Sequence, residues 1–434
     1  MSNKNIGSNI WDFCRELWPI NRSITGEGVD QTLKKVQLHV PNLNIKKVPS
    51  GTNVFDWIVP KEWKIRNAWI KLPNGEKICD FKNNNLHIVG YSIPVHKKLS
   101  LTDLQKHLHS IPKQKKAIPY VTSYYKESWG FCISEEERNK LTEGEYEVYI
   151  DSELFNGNLT YGEVIIKGES KKEVLLSTYI CHPSMANNEL SGTSVLTFLT
   201  KWILSLKNKR YSYRIIFIPE TIGSITYLSK NIDHLKKNVY AGFNITCIGD
   251  ERAHSFLPSR KGDTISDQIA KHTLKAIDKN FIEYKWSDRG SDERQYCAPL
   301  IDLPIASIMR TKYGMYDEYH TSLDDLDNVV TPKGLEGGYW SIRRCIEGLE
   351  NNYYPLVKIL GEPQMSKRGL YPTTSNNIKS DEVKLLMDII SWSDGKKSLL
   401  DIAELCNVPI WKTYPFIEKL REHNLIKLLK APLL

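Results

Sequence analysis

The sequence predicts an α/β protein: a mixed sheet with helices on both faces, interrupted by a β-rich insertion and followed by a winged helix-turn-helix module. Three observations carry that prediction. Apolar runs at Val174–Ile180, Arg214–Ile218 and Leu303–Met309 read as buried strands, and they alternate with helical patterns over Thr193–Leu206, Asp267–Ile277 and Gly334–Leu349. Between about Glu62 and Ile150 the texture changes to short alternating runs broken by turn residues. After Gly361-Glu362-Pro363-Gln364 it changes again, to helical stretches and one short apolar run.

Taken from the N-terminus, Ile10–Leu17 and Gln31–Val36 have helical spacing on either side of the turn Thr25-Gly26-Glu27-Gly28. Within the insertion, Asn67–Leu72 and Tyr146–Ile150 alternate as strands do, Pro73-Asn74-Gly75 reads as a turn, and Leu101–His109 as the one helix. At the far end, Asp381–Trp392, Ser398–Leu405 and Ile410–His423 form three helices before a strand at Leu425–Leu429, the winged helix pattern. The expected domains are 1–61 with 151–360 for the α/β layer, 62–150 for the insertion and 365–434 for the winged helix. Two or three domains suit a chain of 434 residues, and no internal repeat is evident.

Composition sets bounds. With 41% hydrophobic and 25% charged residues the chain falls in the globular range, which excludes disordered and fibrous classes. It holds no apolar run long enough to span a membrane, and Met1–Ser8 leads into a charged amphipathic segment, not a signal-peptide core. A cytoplasmic protein with no membrane contact is the expectation. Eight cysteines without a C-x-x-C pair predict reduced, buried thiols in place of a disulfide framework or zinc knot. The net charge of +8 comes largely from dispersed lysines, and Lys113–Lys116 and Lys207–Arg210 read as solvated turns. On the third C-terminal helix Lys412, Lys419 and Arg421 are offset by Glu418 and Glu422, a thin footprint for nucleic acid. A subunit, domain or substrate contact is expected of that module, a homo-oligomer among the forms it takes.

The chemistry concentrates at strand ends. His182 lies just past Val174–Ile180, Glu220 closes Arg214–Ile218, and Tyr319-His320 follows Leu303–Met309. Open α/β sheets bind ligands outside the carboxyl ends of their strands. A lone histidine is more commonly a cap or surface residue, and a lone glutamate after a strand an ordinary helix-start acid. Three like placements weigh for a metal-assisted site. In the charge-dense run Asp288–Tyr296, Asp292 or Glu293 suits a substrate ammonium and Arg294 a carboxylate, against the plainer reading of a solvated loop with internal ion pairs.

With these residues in view, the strings "ANNELSG", "PETIGS", "GSDERQY" and "YHTSLDD", with "LWPINRSITGEG", "PSGTNVFDWIVPKEW" and "PSRKGDT", resemble the zinc aminopeptidase-like exopeptidases. The likeness is strongest to a bacterial group of zinc hydrolases with an inserted β-rich domain and a C-terminal winged helix, and it covers nearly the whole chain. It implies a three-layer, phosphorylase/hydrolase-like sheet, His182 and His320 as metal ligands, Glu220 as general base, and a substrate pocket near Asp292, Glu293, Arg294 and Tyr319. The last two are also the candidate donors to a tetrahedral oxyanion.

The resemblance also implies gaps. Asn188 stands where two-zinc relatives have a bridging Asp, and Thr221 and Thr246 replace two further carboxylates. Neighbouring zinc ions repel one another and need those anions, so one zinc is expected, held by His182, His320 and a third oxygen. Asn188 is the first choice for that oxygen, with Glu189 and Asp250 as alternatives. The functional expectation is zinc-dependent hydrolysis of an amide or peptide bond in a small peptide, aminoacyl or N-acyl substrate, tied by the resemblance to surface-polysaccharide biosynthesis. The alternative is a weakened hydrolase scaffold acting as a binding or regulatory protein through its winged helix.

Overall fold

The computed structural model describes residues 5–370 and 381–433; Met1–Lys4 of the N-terminal stretch read above lie outside the described residues. The chain divides into two compact units, one of Met1–Asp267 with Phe281–Trp340, the other of Gln268–Asn280 with Ser341–Leu434.

The first unit is built on an eight-stranded sheet in the order Asn44–Pro49, Asn158–Ile166, Ser212–Ile218, Glu173–Tyr179, Val239–Ile245, Ile305–Met309, Ser255–Leu257, Ile282–Glu283. Ser212–Ile218, Glu173–Tyr179, Val239–Ile245 and Ile305–Met309 run parallel, so their carboxyl ends emerge on one side. Every residue of Glu173–Tyr179 and Ser212–Ile218 is buried. That is why these strands read as continuous apolar runs: helices cover both faces of a parallel sheet, leaving no solvent side to alternate with. Asn158–Ile166 is antiparallel to both Asn44–Pro49 and Ser212–Ile218, and Ser255–Leu257 to Ile305–Met309, which makes the sheet mixed.

A separate antiparallel sheet of Lys77–Ile78, Glu62–Lys71, Glu145–Phe155 and Val95–Ser100 is built from the sequence insertion, the strand Glu145–Phe155 running past the expected end at 150. In Glu145–Phe155 the buried residues Tyr146, Val148, Ile150 and Ser152 alternate with more open ones, the period-two signature of a half-covered sheet. The helix expected over Leu101–His109 is corrected. Ser100 caps a single helical turn, Leu101–Leu104, after which a 3-10 turn leads into a strand, Leu108–His109, paired with Phe131–Cys132. Ladder pairing continues where Ile133 donates to the His109 carbonyl at 2.9 Å, and this long-range partner displaces the helix.

In the second unit, helices Asp381–Ser391, Leu399–Leu405 and Ile410–Glu422 precede the strand Ile426–Leu429. That strand pairs antiparallel with Tyr354–Val357, a partner upstream of the boundary read at 365. Ser398 and Asp401 form a reciprocal capping box at the start of Leu399–Leu405. His272 accepts from the Ile410 amide at 2.8 Å and is bonded through Nδ1 to Glu404. All eight cysteines are unbridged, and among the described residues no helix is long and apolar enough to cross a membrane.

Candidate active site

His182 is held from behind. Past the strand Glu173–Tyr179 the chain turns, and the amides of Cys181 and His182 donate to Glu189 Oε2 at 3.1 and 2.9 Å. The same oxygen lies 3.0 Å from His182 Nδ1. Glu189 sits in the wide turn Ala186–Leu190 that opens the helix Ser191–Ser205. Gly192 of that motif is required by close approach: a Cβ there would stand 2.5 Å from the Ile245 carbonyl oxygen and 2.6 Å from Thr178 Oγ1. Arg22, fully buried, donates from Nε to the His182 carbonyl at 3.0 Å and faces Glu189 Oε1 at 3.2 Å. A proton on Nδ1 shared with Glu189 leaves the Nε2 lone pair outward, toward Glu220 Oε2 at 3.7 Å. Burial by itself lowers the His182 pKa, but the Glu189 hydrogen bond and the charges of Glu189 and Glu220 outweigh it and raise the value.

Glu220 follows Ile218-Pro219 and precedes Thr221, whose φ of 62° is in the left-handed region that a β-branched residue rarely adopts. The turn is clamped from the segment Ser291–Arg294. Asp292 Oδ1 accepts from the Thr221 amide and from Ser224 Oγ, both at 2.8 Å; Arg294 Nη2 reaches Thr221 Oγ1 at 2.5 Å; and Ser291 bonds the Glu220 carboxylate. Burial raises the Glu220 pKa against the pull of His182, while its side chain keeps 22% exposure, enough to meet a solvent molecule or substrate. Asp292 is pushed up to about 8, first by burial and then by the Glu220 charge.

The expectation that Asp292 or Glu293 meets a substrate ammonium is corrected by their placement. Both are fully buried. Glu293 Oε1 accepts from the amides of Gly290 and Ser291 at 2.9 and 3.0 Å and from Tyr313 OH at 2.7 Å, and Oε2 accepts from Asn244 Nδ2 at 3.1 Å. The charge-dense run is a brace for the Glu220 turn, with Asp292 and Glu293 turned inward and Asp288 and Arg294 outward.

His320 arrives by a longer route than a strand end. It stands well beyond Met309, with φ of 56°, in a loop stitched to residues of the insertion. Tyr120 N donates to the His320 carbonyl and Ser322 N to the Ile118 carbonyl, both at 2.9 Å. Tyr319 stacks flat on the His320 ring at 3.9 Å. Tyr120 places its ring 5.3 Å from His182 and 5.2 Å from His320, and its hydroxyl 3.1 Å from Tyr124 OH. Neither Tyr120 nor Arg22 is signalled as a site residue by local sequence pattern, because each acts through pairings sixty or more residues away in the chain. Burial, then the His182 charge, push His320 down to about 3. Its Nε2 is buried without a hydrogen-bond partner.

This donor set can be tested against zinc. The two imidazole rings are 5.4 Å apart, and an orphaned buried Nε2 is what a ligand nitrogen looks like before it binds. Asn188 Oδ1 accepts from Tyr179 OH at 2.8 Å, and Thr246 Oγ1 lies 2.5 Å from that hydroxyl and 3.0 Å from the Asn188 carbonyl. Asn188, Tyr179 and Thr246 thus close into a neutral network. Asp250 has both oxygens engaged, Oδ1 by the Arg252 amide and Thr311 Oγ1 at 2.8 and 2.7 Å, Oδ2 by Asn187 Nδ2 and the Thr311 amide at 3.0 and 2.8 Å. Glu189 has Oε2 taken by three donors and Oε1 held against the Arg22 cation, on the far side of His182 from Glu220. Cys181, His182 and Glu189 do cluster, but on the Nδ1 side, with the Arg22 cation already against Glu189 and burial pushing the thiol pKa up. That cluster is a hydrogen-bonded support, not an ion site.

Comparison with known proteins adds to this geometry. Residues 11–352 match the family described as Domain of unknown function (DUF4910), and residues 353–428 match a winged helix-turn-helix family. A Clostridium acetobutylicum protein, named as a candidate polysaccharide biosynthesis protein with an aminopeptidase-like domain, is 46% identical over 400 residues, 92% of this chain and 91% of that protein. The 2.37 Å crystal structure of a candidate peptidase from Clostridium acetobutylicum superposes with a TM-score of 0.91 at 43% identity, covering 98% of this chain and 96% of that one. A zinc aminopeptidase from Bacillus subtilis matches with a TM-score of 0.56 at 12% identity over 79% of this chain and 94% of its own, a likeness of fold.

Proposed function

We propose, from the premise that this chain belongs to the DUF4910 family and has an aminopeptidase-like fold with a C-terminal winged helix, that it is a zinc-dependent hydrolase of amide bonds. The observation that carries the reading is the closeness of three groups: the His182 and His320 rings lie 5.4 Å apart, His320 Nε2 is buried without a partner, and the partly exposed Glu220 carboxylate lies 3.7 Å from His182 Nε2. One zinc ion held by His182 and His320 would supply a Lewis acid and a water of lowered pKa, about 7.

The chain's own groups do the rest. Glu220, with its pKa raised by burial, accepts the proton of the attacking water and returns it to the departing amine. Glu189 holds His182 in the tautomer with Nε2 free, Ser291 and Asp292 hold the Glu220 turn, and Tyr120 and Tyr319 wall His320 from bulk water. The name of the Clostridium relative supports a role in polysaccharide biosynthesis. Unbridged cysteines support a cytosolic setting. On Ile410–Glu422 the mixed charges of Lys412, Lys419, Arg421, Glu418 and Glu422 support a protein contact over nucleic acid.

The neutral network around Asn188 favours a second reading, a scaffold that keeps the fold and binds without cleaving. Zinc content and amide hydrolysis of Glu220→Gln, His182→Ala and His320→Ala separate the two. E220Q should keep its zinc and lose activity by roughly 10²–10⁴-fold, the usual contribution of a positioned base. Either histidine variant should lose zinc. Full activity in E220Q, or zinc content untouched in both histidine variants, would sink the hydrolase reading.

A further inference from the structure

We propose further, resting on the amide-hydrolase reading, that the crevice takes a carboxylate-bearing N-acyl amide and disfavours a free α-ammonium, with Arg294 as the carboxylate anchor. A charged amino terminus is held most strongly by unengaged negative charge beside the scissile carbonyl. The acids of this site are engaged elsewhere. Glu189 faces Arg22 and three donors, and Glu293 is fully buried under its own set of donors. Asp324, also buried, accepts from the Asn187 and Asn188 amides at 2.7 and 3.0 Å and from Tyr316 OH at 3.0 Å. Asp292 is closed from solvent, with Oδ1 already accepting from the Thr221 amide and Ser224 Oγ. Glu220 opens on the crevice, but as the base, with Ser291 already bonded to it.

The open charge beside Glu220 is instead positive. Arg294 is exposed, and its Nη2 is tied to Thr221 Oγ1, the residue next to Glu220. The tie to Thr221 sets the guanidinium one residue from Glu220, whose carboxyl it pulls toward the charged form. A guanidinium rooted at one N–H has less freedom to lose on binding, and its remaining N–H groups form the planar fork that a carboxylate matches with two oxygens. An ammonium at the same place meets like charge.

The zinc-loaded full chain would be assayed on alanine p-nitroanilide with its amine free, acetylated or succinylated. The succinyl substrate should exceed the acetyl one in kcat/KM by roughly ten- to a hundredfold, the scale of a charge-assisted hydrogen bond, and the free amine should be the poorest. Arg294→Ala should collapse the succinyl-to-acetyl ratio, mainly through KM, and Arg294→Lys should retain part of it. A free-amine substrate ranking first, or a ratio unchanged in R294A, would overturn the proposal. If no member is cleaved, the hydrolase reading fails on its own. Calorimetry with N-succinylalanine amide against alanine amide then decides the charge preference: equal affinities overturn it, and tighter succinyl binding that R294A abolishes supports it.

Discussion

Glu189→Gln asks whether a buried carboxylate, and not packing alone, holds His182 in place. The substitution preserves shape and removes the charge. Glu189 and Arg22 have side chains with no solvent exposure, 3.2 Å apart at Oε1 and Nε. At an effective dielectric of about 20 a pair at that distance attracts by roughly 5 kcal/mol before desolvation is counted. Removing one partner leaves the Arg22 cation buried alone, a change that costs about 3–5 kcal/mol in comparable pairs. The amide can keep its oxygen toward the Cys181 amide, the His182 amide and Nδ1, but its NH2 group then faces the Arg22 guanidinium, donor against donor. For a unit of this size, about 2 °C per kcal/mol, the melting temperature should fall by roughly 6–10 °C. Calorimetry of the metal-free protein measures this. The double substitution Arg22→Met with Glu189→Leu should recover part of the loss, since no lone charge remains. A fall below about 2 °C in E189Q, or a double variant no better than the single one, would refute the account.

The clamp on Glu220 has a pH signature. Asp292 has a folded pKa of about 8 against an ordinary value of 3.8, so between those limits the folded chain holds a proton the unfolded chain has released. Wild type should therefore lose stability relative to Asp292→Asn as pH rises from about 4 to 8, by at most about 1.4 kcal/mol per unit, and no further above that window. Denaturant unfolding at several pH values tests it, and a constant difference between the two proteins counts against a protonated Asp292. Elemental analysis of the zinc-loaded protein should find one ion per chain, with Asn188→Asp binding it more tightly; two ions per chain in wild type would contradict the closed Tyr179, Asn188 and Thr246 network. Gly192→Ala should cost about 1–3 kcal/mol, because the new methyl meets a backbone carbonyl oxygen at 2.5 Å that cannot step aside. A thermal melt within 1 °C of wild type would show that the helix start has room to shift.

His182 and Glu220 were readable from the chain because their signal is local. A buried parallel strand leaves a run such as Val174–Ile180, and what stands at its carboxyl end is placed by the sheet itself. The same holds for the helices of the winged module, where Ser398 and Asp401 mark a start three residues apart. The inward turn of Asp292 and Glu293 was not readable. A run of charges looks alike whether it faces water or braces a neighbouring turn, and the difference here rests on Thr221, Asn244 and Tyr313.

Local pattern thus determined the layered α/β class, the β-rich stretch, the C-terminal helices and the strand-end placement of two site residues, since hydrophobic periodicity records which faces each element must bury. Tertiary structure alone decided that Arg22 and Glu189 stand behind His182, that Tyr120 of the insertion stitches the His320 loop beside it, and that the Asn188 oxygen is already taken by Tyr179. Those contacts join segments far apart in the chain, and a side chain's partner across such a gap is chosen by how the elements pack, which no short window of residues records.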